Sequence, residues 1–263
     1  MCVNEGRSGP HFSRRGAPST GQGLARLSSV AVAERDPRKR RRLLLRIYRR
    51  LRAAFGHAGW WPGESPFEVC VGAILVQNTA WTNVERTLDG LRRRGLLAFE
   101  ALRRLPPSRL APLLRTSGTF RVKAERLRAL LDFLGAEYGG RAEAMKDEEP
   151  ARLREKLLAV RGVGEETADS IALYAGGHPL FVVDAYTRRV FTRLRLLRGG
   201  ESYAEIQHLF ADALPRDPAL YNDYHAQIVL LAKDVCRPRP RCPDCPLEDL
   251  CPSSRGRLPE GLR

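Results

Sequence analysis

The sequence predicts an all-α protein. Apolar residues recur every three or four positions through most of the chain, capping sequences stand ahead of several of these stretches, and strand patterns are nearly absent. From Arg38 onward, Leu44, Ile47, Tyr48, Leu51 and Phe55 form the stripe of a first helix. Ten Lys or Arg stand against one Asp between Arg35 and Arg52, which reads either as a solvated face or as a helix lying near phosphates. Ser65-Pro66-Phe67-Glu68 places Ser at the N-cap, Pro at N1 and Glu at N3, a capping box opening an apolar helix to about Asn78. Helical patterns follow at 80–94, 97–104, 108–116, 121–138 and 148–160, and another runs from 165 to 175, ending at Gly176-Gly177. Asp184 suits the N-cap of a helix reaching 195, Ser202-x-x-Glu205 forms a second capping box, and 217–234 closes the set. Phe181-Val182-Val183 is too short to carry a sheet.

The 263 residues suffice for one large domain or two small ones with proper cores. No apolar run approaches the roughly 18 residues of a membrane span. The formal net charge of +15 attracts polyanions, and release of counterions makes nucleic acid the favoured partner over acidic lipid. Residues 1–36 mix Gly, Ser, Arg and Pro without periodicity, the composition of a disordered tail, and 256–263 reads as a flexible one. No secretory apolar segment precedes residue 40, so an oxidising compartment is not indicated. Cys2 and Cys70 are isolated, whereas Cys236, Cys242, Cys245 and Cys251 cluster and read as metal ligands before disulfides. Four thiolates hold either a [4Fe–4S] cluster or tetrahedral zinc, and the spacing alone does not separate them.

Residues 157–168 end one helix and begin the next around Gly162-Val163-Gly164. The glycines let the backbone turn tightly and approach a partner, Val163 anchors the turn in the core, and the amides opening the next helix suit a phosphate. An ordinary helical hairpin reads the same way, and Glu165 and Glu166 are normal partners for a helix start. Twenty residues beyond Gly164 comes Asp184. Held by amide N–H groups, its carboxylate would stay ionised, stabilise a sugar cation and orient water; the blander role is a simple N-cap.

Gly162-Val163-Gly164, Asp184 after the apolar run, and the four-cysteine loop together resemble the helix-hairpin-helix DNA glycosylases of the endonuclease III superfamily. Ala73-Ile74-Leu75-Val76-Gln77-Asn78-Thr79 is similar to that family's early helix and Gln-containing loop, and Gly118-Thr119-Phe120-Arg121-Val122-Lys123-Ala124 to its minor-groove loop. The resemblance covers roughly residues 38 to 255. It implies a two-domain all-α fold: a six-helix domain over 58–178 with the hairpin at about 157–175, and an iron–sulfur domain combining 37–57 with 179–255. Double-stranded DNA would bind across the cleft. The hairpin would grip phosphate through Gly162 and Gly164, with Thr167, Lys123 and Arg188 also on DNA. Gln77 would fill the gap left by an extruded base, Thr119 or Phe120 would wedge the partner strand, and Asp184 takes the catalytic position.

The family's bifunctional members carry a Lys just past the hairpin, whose amine attacks the sugar. Here that position is Glu166, which cannot form an imine, so the expectation is a monofunctional enzyme using water. Trp60-Trp61-Pro62 and Trp81 are similar to the 3-methyladenine branch, in which aromatics sandwich the flipped purine. Cation–π attraction suits an alkylated, positively charged base, with Glu166 beside it in the base pocket. The implied cofactor is a [4Fe–4S] cluster rather than zinc, although the first cysteine gap is one residue short of the family's usual spacing. The expected partner is damaged duplex DNA, with no membrane, and the expected state a cytoplasmic, nucleoid-associated monomer. The alternatives are an oxidised-pyrimidine glycosylase with AP lyase activity and a catalytically inert DNA binder. Cys70, His225 and the acidic run Asp147-Glu148-Glu149 are expected to serve packing, a core hydrogen bond and a solvent-facing helix start.

Overall fold

Asp36 opens the fold by accepting hydrogen bonds from the amides of Arg38 (2.8 Å) and Lys39 (3.4 Å), capping α1 (Pro37–Phe55) where a tail was expected to continue. The computed structural model describes residues 36–59, 61 and 63–255. The remainder of the expected tails at 1–36 and 256–263, with Cys2, Trp60 and Pro62, lies outside the described residues. Helices α2 (Pro66–Leu75), α3 (Trp81–Arg92), α4 (Phe99–Arg104), α5 (Pro107–Leu113), α6 (Phe120–Tyr138) and α7 (Pro150–Ala159) follow. Then come α8 (Glu165–Ser170), α9 (Ala185–Arg193), α10 (Tyr203–Ala211) and α11 (Pro218–Asp234). The fold is all-helical, with no strand among the described residues.

Two hydrophobic clusters organise these helices. The first centres on α2, whose residues from Phe67 to Leu75 are all buried, and draws in α3–α8. The second packs Leu44, Ile47 and Leu51 of α1 against Phe181–Val183 and α9–α11. Tyr174 packs against both. It sits where α8 widens into a π turn, Ile171–Ala175, so the single helix expected over 165–175 changes its winding at that point.

The two capping boxes come out differently. At α10 both halves form: Ser202 Oγ accepts from the Glu205 amide at 3.2 Å, and the Glu205 carboxylate accepts from the Ser202 amide at 2.7 Å. At α2 only Ser65 Oγ caps, accepting from the Glu68 amide at 3.2 Å. Glu68 is buried, and its carboxylate instead takes the Arg92 guanidinium of α3 at 2.7 Å, because a charge pair compensates its burial better than an amide does. The acidic run is the expected solvent-facing helix start at Asp147 and Glu149, which are exposed, with Glu149 capping α7; Glu148 departs from it, half-buried and paired with Lys156 at 2.8 Å and Arg152 at 3.2 Å.

One polar network ties the two clusters together and another ties α1 to α11 within the second. Asp169 of α8, wholly buried, accepts from Arg154 Nε of α7 at 2.7 Å and Gln207 Nε2 of α10 at 2.8 Å. Asp223 of α11 accepts from Tyr48 (2.7 Å) and Arg52 (2.8 Å) of α1 and meets His57 Nδ1 at 3.0 Å. Arg52 is thus one of the basic α1 residues with an internal partner. Arg50 is another, paired with Asp249 through both guanidinium nitrogens.

Candidate active site in the interhelical cleft

A cleft of about 790 Å3 lies between the clusters, and the hairpin forms part of its wall. Within the hairpin, Gly162 takes φ +85°, a left-handed turn that favours glycine, and a Cβ there would meet Arg126 Cγ at 2.4 Å. Gly164 is extended, at φ −97° and ψ −179°, with nothing within 4 Å of a Cβ position. Only the first glycine is therefore demanded by the turn; the second leaves open space in front of the amides that begin α8. Val163 is buried as expected.

Gln77, just past α2, donates through Nε2 to Gly162 O at 3.1 Å and Thr167 Oγ1 at 3.0 Å, and its Oε1 accepts from Arg126. The Gln-containing loop and the hairpin are thus one bonded unit. Asn78 holds a left-handed φ of 53° beside it. Thr119 also has a positive φ, 25°, and Phe120 beyond it carries the guanidinium of Arg115 5.5 Å from its ring centroid.

Lys123 corrects an expectation. It is 1% exposed, and its Nζ donates to Leu75 O at 2.7 Å and to Ser117 O. Burial, and secondarily the Arg126 charge, bring its ammonium down to about 8. A side chain spent on two internal carbonyls does not reach a phosphate; it ties the end of α2 to the turn before α6. Arg188 donates through Nη1 to Glu201 O at 2.7 Å, and the neighbouring Arg189 lines the cleft.

Asp184 N-caps α9, with Thr187 N donating to Oδ1 at 2.7 Å. Its Oδ2 faces His225 Nε2 at 3.5 Å, and His225 Nδ1 lies 2.7 Å from the Tyr174 hydroxyl. Burial opposes ionisation of Asp184, but the imidazole and the Thr187 amide outweigh it and hold its pKa below the ordinary value. Glu166 also lines the cleft. The residue as a whole is solvent-exposed, yet desolvation by the cleft walls, and then the charge of Asp184, raise its pKa. The two carboxyls are thus driven in opposite directions. No lysine lines the cleft among the described residues.

His225 does make the expected hydrogen bond, but it also stands against the carboxylate, which the sequence reading missed. Tyr174 was missed as well. Neither has a local signal: His225 meets Asp184, and Tyr174 meets His225, only through packing of elements remote in the chain.

Of the residues expected to sandwich a base, Trp61 and Trp81 are described, and they do not face each other across a slot. Trp61 and Trp81 touch edge-to-face, centroids 4.9 Å apart at 87°, and Tyr174 packs on Trp61 at 5.1 Å. Edge-to-face contact satisfies the ring quadrupoles of each other and leaves no slot between them. Trp81 is buried and donates Nε1–H to Glu85 at 2.8 Å. Trp61 and Trp81 line the cleft, and Tyr174 packs behind Trp61.

Cys236, Cys242, Cys245 and Cys251 line one small cavity of about 30 Å3 together with Arg193. The Arg193 guanidinium is buried, and its Nη1 lies 3.3 Å from Cys236 Sγ and donates to Arg237 O at 2.6 Å, while Nε has no partner. Burial pushes the Cys245 thiol up to about 12, with the other three cysteines adding to the rise. Arg189 donates Nε–H to Cys236 O at 2.9 Å, joining the helix capped by Asp184 to this loop. No group of three or more His, Cys, Asp or Glu among the described residues is spaced to hold a single metal ion.

Residues 71–216 match the model of the HhH-GPD superfamily of base excision DNA repair proteins. The chain belongs to this superfamily. A Methanocaldococcus jannaschii protein provisionally named a DNA repair glycosylase is 42% identical over 210 residues, 80% of this chain and 96% of its own. Endonuclease III of Bacillus subtilis is 27% identical over 200 residues, 76% of this chain and 86% of its own. Among solved structures, the 3-methyladenine DNA glycosylase of H. pylori bound to 1,N6-ethenoadenine matches with a TM-score of 0.62 and 26% identity, over 75% of this chain and 97% of that one. A trapped endonuclease III–DNA covalent intermediate shares the fold, with a TM-score of 0.70 at 23% identity, over 82% of this chain and 97% of that one. This HhH-GPD protein is a DNA repair glycosylase.

Proposed function

We propose that this glycosylase is monofunctional and hydrolyses the N-glycosidic bond of alkylated purines, of the 3-methyladenine type, flipped from duplex DNA. The observation that carries the reading is Asp184: a carboxylate held ionised inside a cleft whose position for an attacking amine is taken by Glu166. As the C1′–N bond breaks, its electron pair leaves with the base and positive charge spreads over the sugar. Asp184 stabilises that charge, and water adds to C1′ and gives up its proton to solvent. An alkylated purine leaves readily because it already carries positive charge. Trp61, edge-on to Trp81 and backed by Tyr174, offers that base an electron-rich surface to lie against. Phosphate would be gripped by the open amides after Gly164, with Gln77, Thr167, Thr119 and Phe120 lining the approach.

In this reading the four thiolates hold a [4Fe–4S] cluster rather than zinc, as the family resemblance implies. The four cysteines line one shared cavity. The buried guanidinium of Arg193 suits the net negative charge of a thiolate-bound cluster. Its role in this reading is to hold the loop after α11, and no step of base release passes through it. The reading includes a cytoplasmic, nucleoid-associated monomer working on damaged duplex.

Single-turnover assays on duplexes bearing 3-methyladenine, hypoxanthine or thymine glycol test the substrate class. Release of 3-methyladenine without strand cleavage is expected, and Asp184→Asn should abolish release while sparing DNA binding. Efficient borohydride trapping of a DNA adduct, or preference for thymine glycol, overturns the reading in favour of the lyase alternative.

A further inference from the structure

Asp184 is an acceptor-only group with two oxygens to satisfy. Oδ1 has the Thr187 amide, whereas Oδ2 faces a nitrogen of a side chain that is 7% exposed and whose Nε2 makes no hydrogen bond at the present 3.5 Å. Were Nε2 the unprotonated nitrogen, two acceptors would confront each other inside the protein. The favourable arrangement puts the proton on Nε2, leaving Nδ1 to accept from the Tyr174 hydroxyl at 2.7 Å. Tyr174 is held in turn by the π turn and by its ring contact with Trp61. The wall against which a base would lie is therefore continuous with the imidazole behind the carboxylate.

We propose that His225, its tautomer set by Tyr174, is the positioning residue for Asp184. Its Nε2–H holds the Oδ2 side of the carboxylate, so that Asp184 stays ionised and fixed in direction when a sugar arrives. At 3.5 Å the pair is longer than a hydrogen bond, and the proposal requires it to shorten when substrate occupies the cleft. Around this imidazole the cleft also carries Glu166 of α8 and Tyr186 and Arg189 of α9, with Asp223 two residues back on α11. Among the charged groups here, Asp184 is the one His225 meets within ion-pair distance. The proposal rests on the reading of Asp184 as the carboxylate that acts on the sugar.

The test is single-turnover base release against pH, with DNA affinity measured alongside, for the wild type, His225→Leu, His225→Gln, Tyr174→Phe and Asp184→Asn. His225→Leu should slow release about 100-fold at unchanged affinity. It should also move the acid limb to higher pH, because Asp184 loses the group that lowers its pKa. His225→Gln, which restores a donor, should recover most of the loss, and Tyr174→Phe, which keeps the ring on Trp61, should fall in between. A wild-type rate and acid limb in His225→Leu, or a slower rate with an unmoved limb, overturns the proposal while an inactive Asp184→Asn leaves the glycosylase reading intact. An active Asp184→Asn sinks that reading itself. If His225→Leu does not fold, the limb positions of His225→Gln and Tyr174→Phe decide: a limb unmoved in both rejects the proposal.

Discussion

Replacing Lys123 with Met separates an internal role for this residue from a role on DNA. In the structure Nζ satisfies Leu75 O and Ser117 O in a site from which water is excluded. Met fills similar volume but donates nothing, so both carbonyls lose their partner, at about 1–3 kcal/mol each. Relief from burying an ammonium offsets part of this, and a net loss of about 2–3 kcal/mol is expected. That corresponds to a fall in Tm of roughly 4–12 °C for a protein of this size. A pH series sharpens the test. The folded lysine gives up its proton near pH 8, and the unfolded one keeps it to 10.5. Between these values the unfolded state binds more protons, so wild-type stability rises with pH from this group and its lead over Lys123→Met widens. Below pH 8 both states are protonated and the lead is constant. The DNA assay runs the other way: removing a lysine that neutralises one phosphate would lower the salt dependence of binding by about 0.9 in log–log slope. Below its melting transition, Lys123→Met should keep the wild-type slope. A normal Tm with a slope reduced by about one would refute the internal role and restore Lys123 to the DNA surface.

Two further outcomes follow from the same coordinates. Gly162→Ala should lose about 1–2 kcal/mol, from its left-handed backbone, with further strain from Arg126, whereas Gly164→Ala should keep the wild-type Tm but weaken DNA binding by crowding the open amides; thermal melts and a binding titration check both, and unchanged affinity in Gly164→Ala would remove the phosphate from that place. Arg193→Gln should yield protein with less iron per chain and a visible chromophore that bleaches faster in air, measured by metal analysis and absorbance, because the buried charge beside Cys236 is removed; zinc in the wild-type protein would reject the cluster.

The sequence by itself determined the helical fold. Period, capping residues and glycines act over a few positions, so the stripe Leu44-Ile47-Leu51, the Ser202–Glu205 box and the Asp184 cap could all be read locally and appear in the structure. The hairpin, the Asp184 position and the four-cysteine loop were legible for the same reason, as short patterns with fixed spacing. What only the tertiary structure decided is where long side chains end. Lys123 stands in a sequence resembling a DNA loop, but its stem is long enough to reach carbonyls across two elements, and burial makes that the better use. Glu68 left its own cap for Arg92 on another helix. Trp61 and Trp81 met edge-to-face because two separate elements converge at 4.9 Å, a distance no spacing encodes. His225 reaches Asp184, and Tyr174 reaches His225, in the same way, from a helix and a π turn remote in the chain. Local free energies set the helices; the partners of charged and aromatic groups are set by packing, which brings remote residues within bonding distance and removes the water that would otherwise satisfy them.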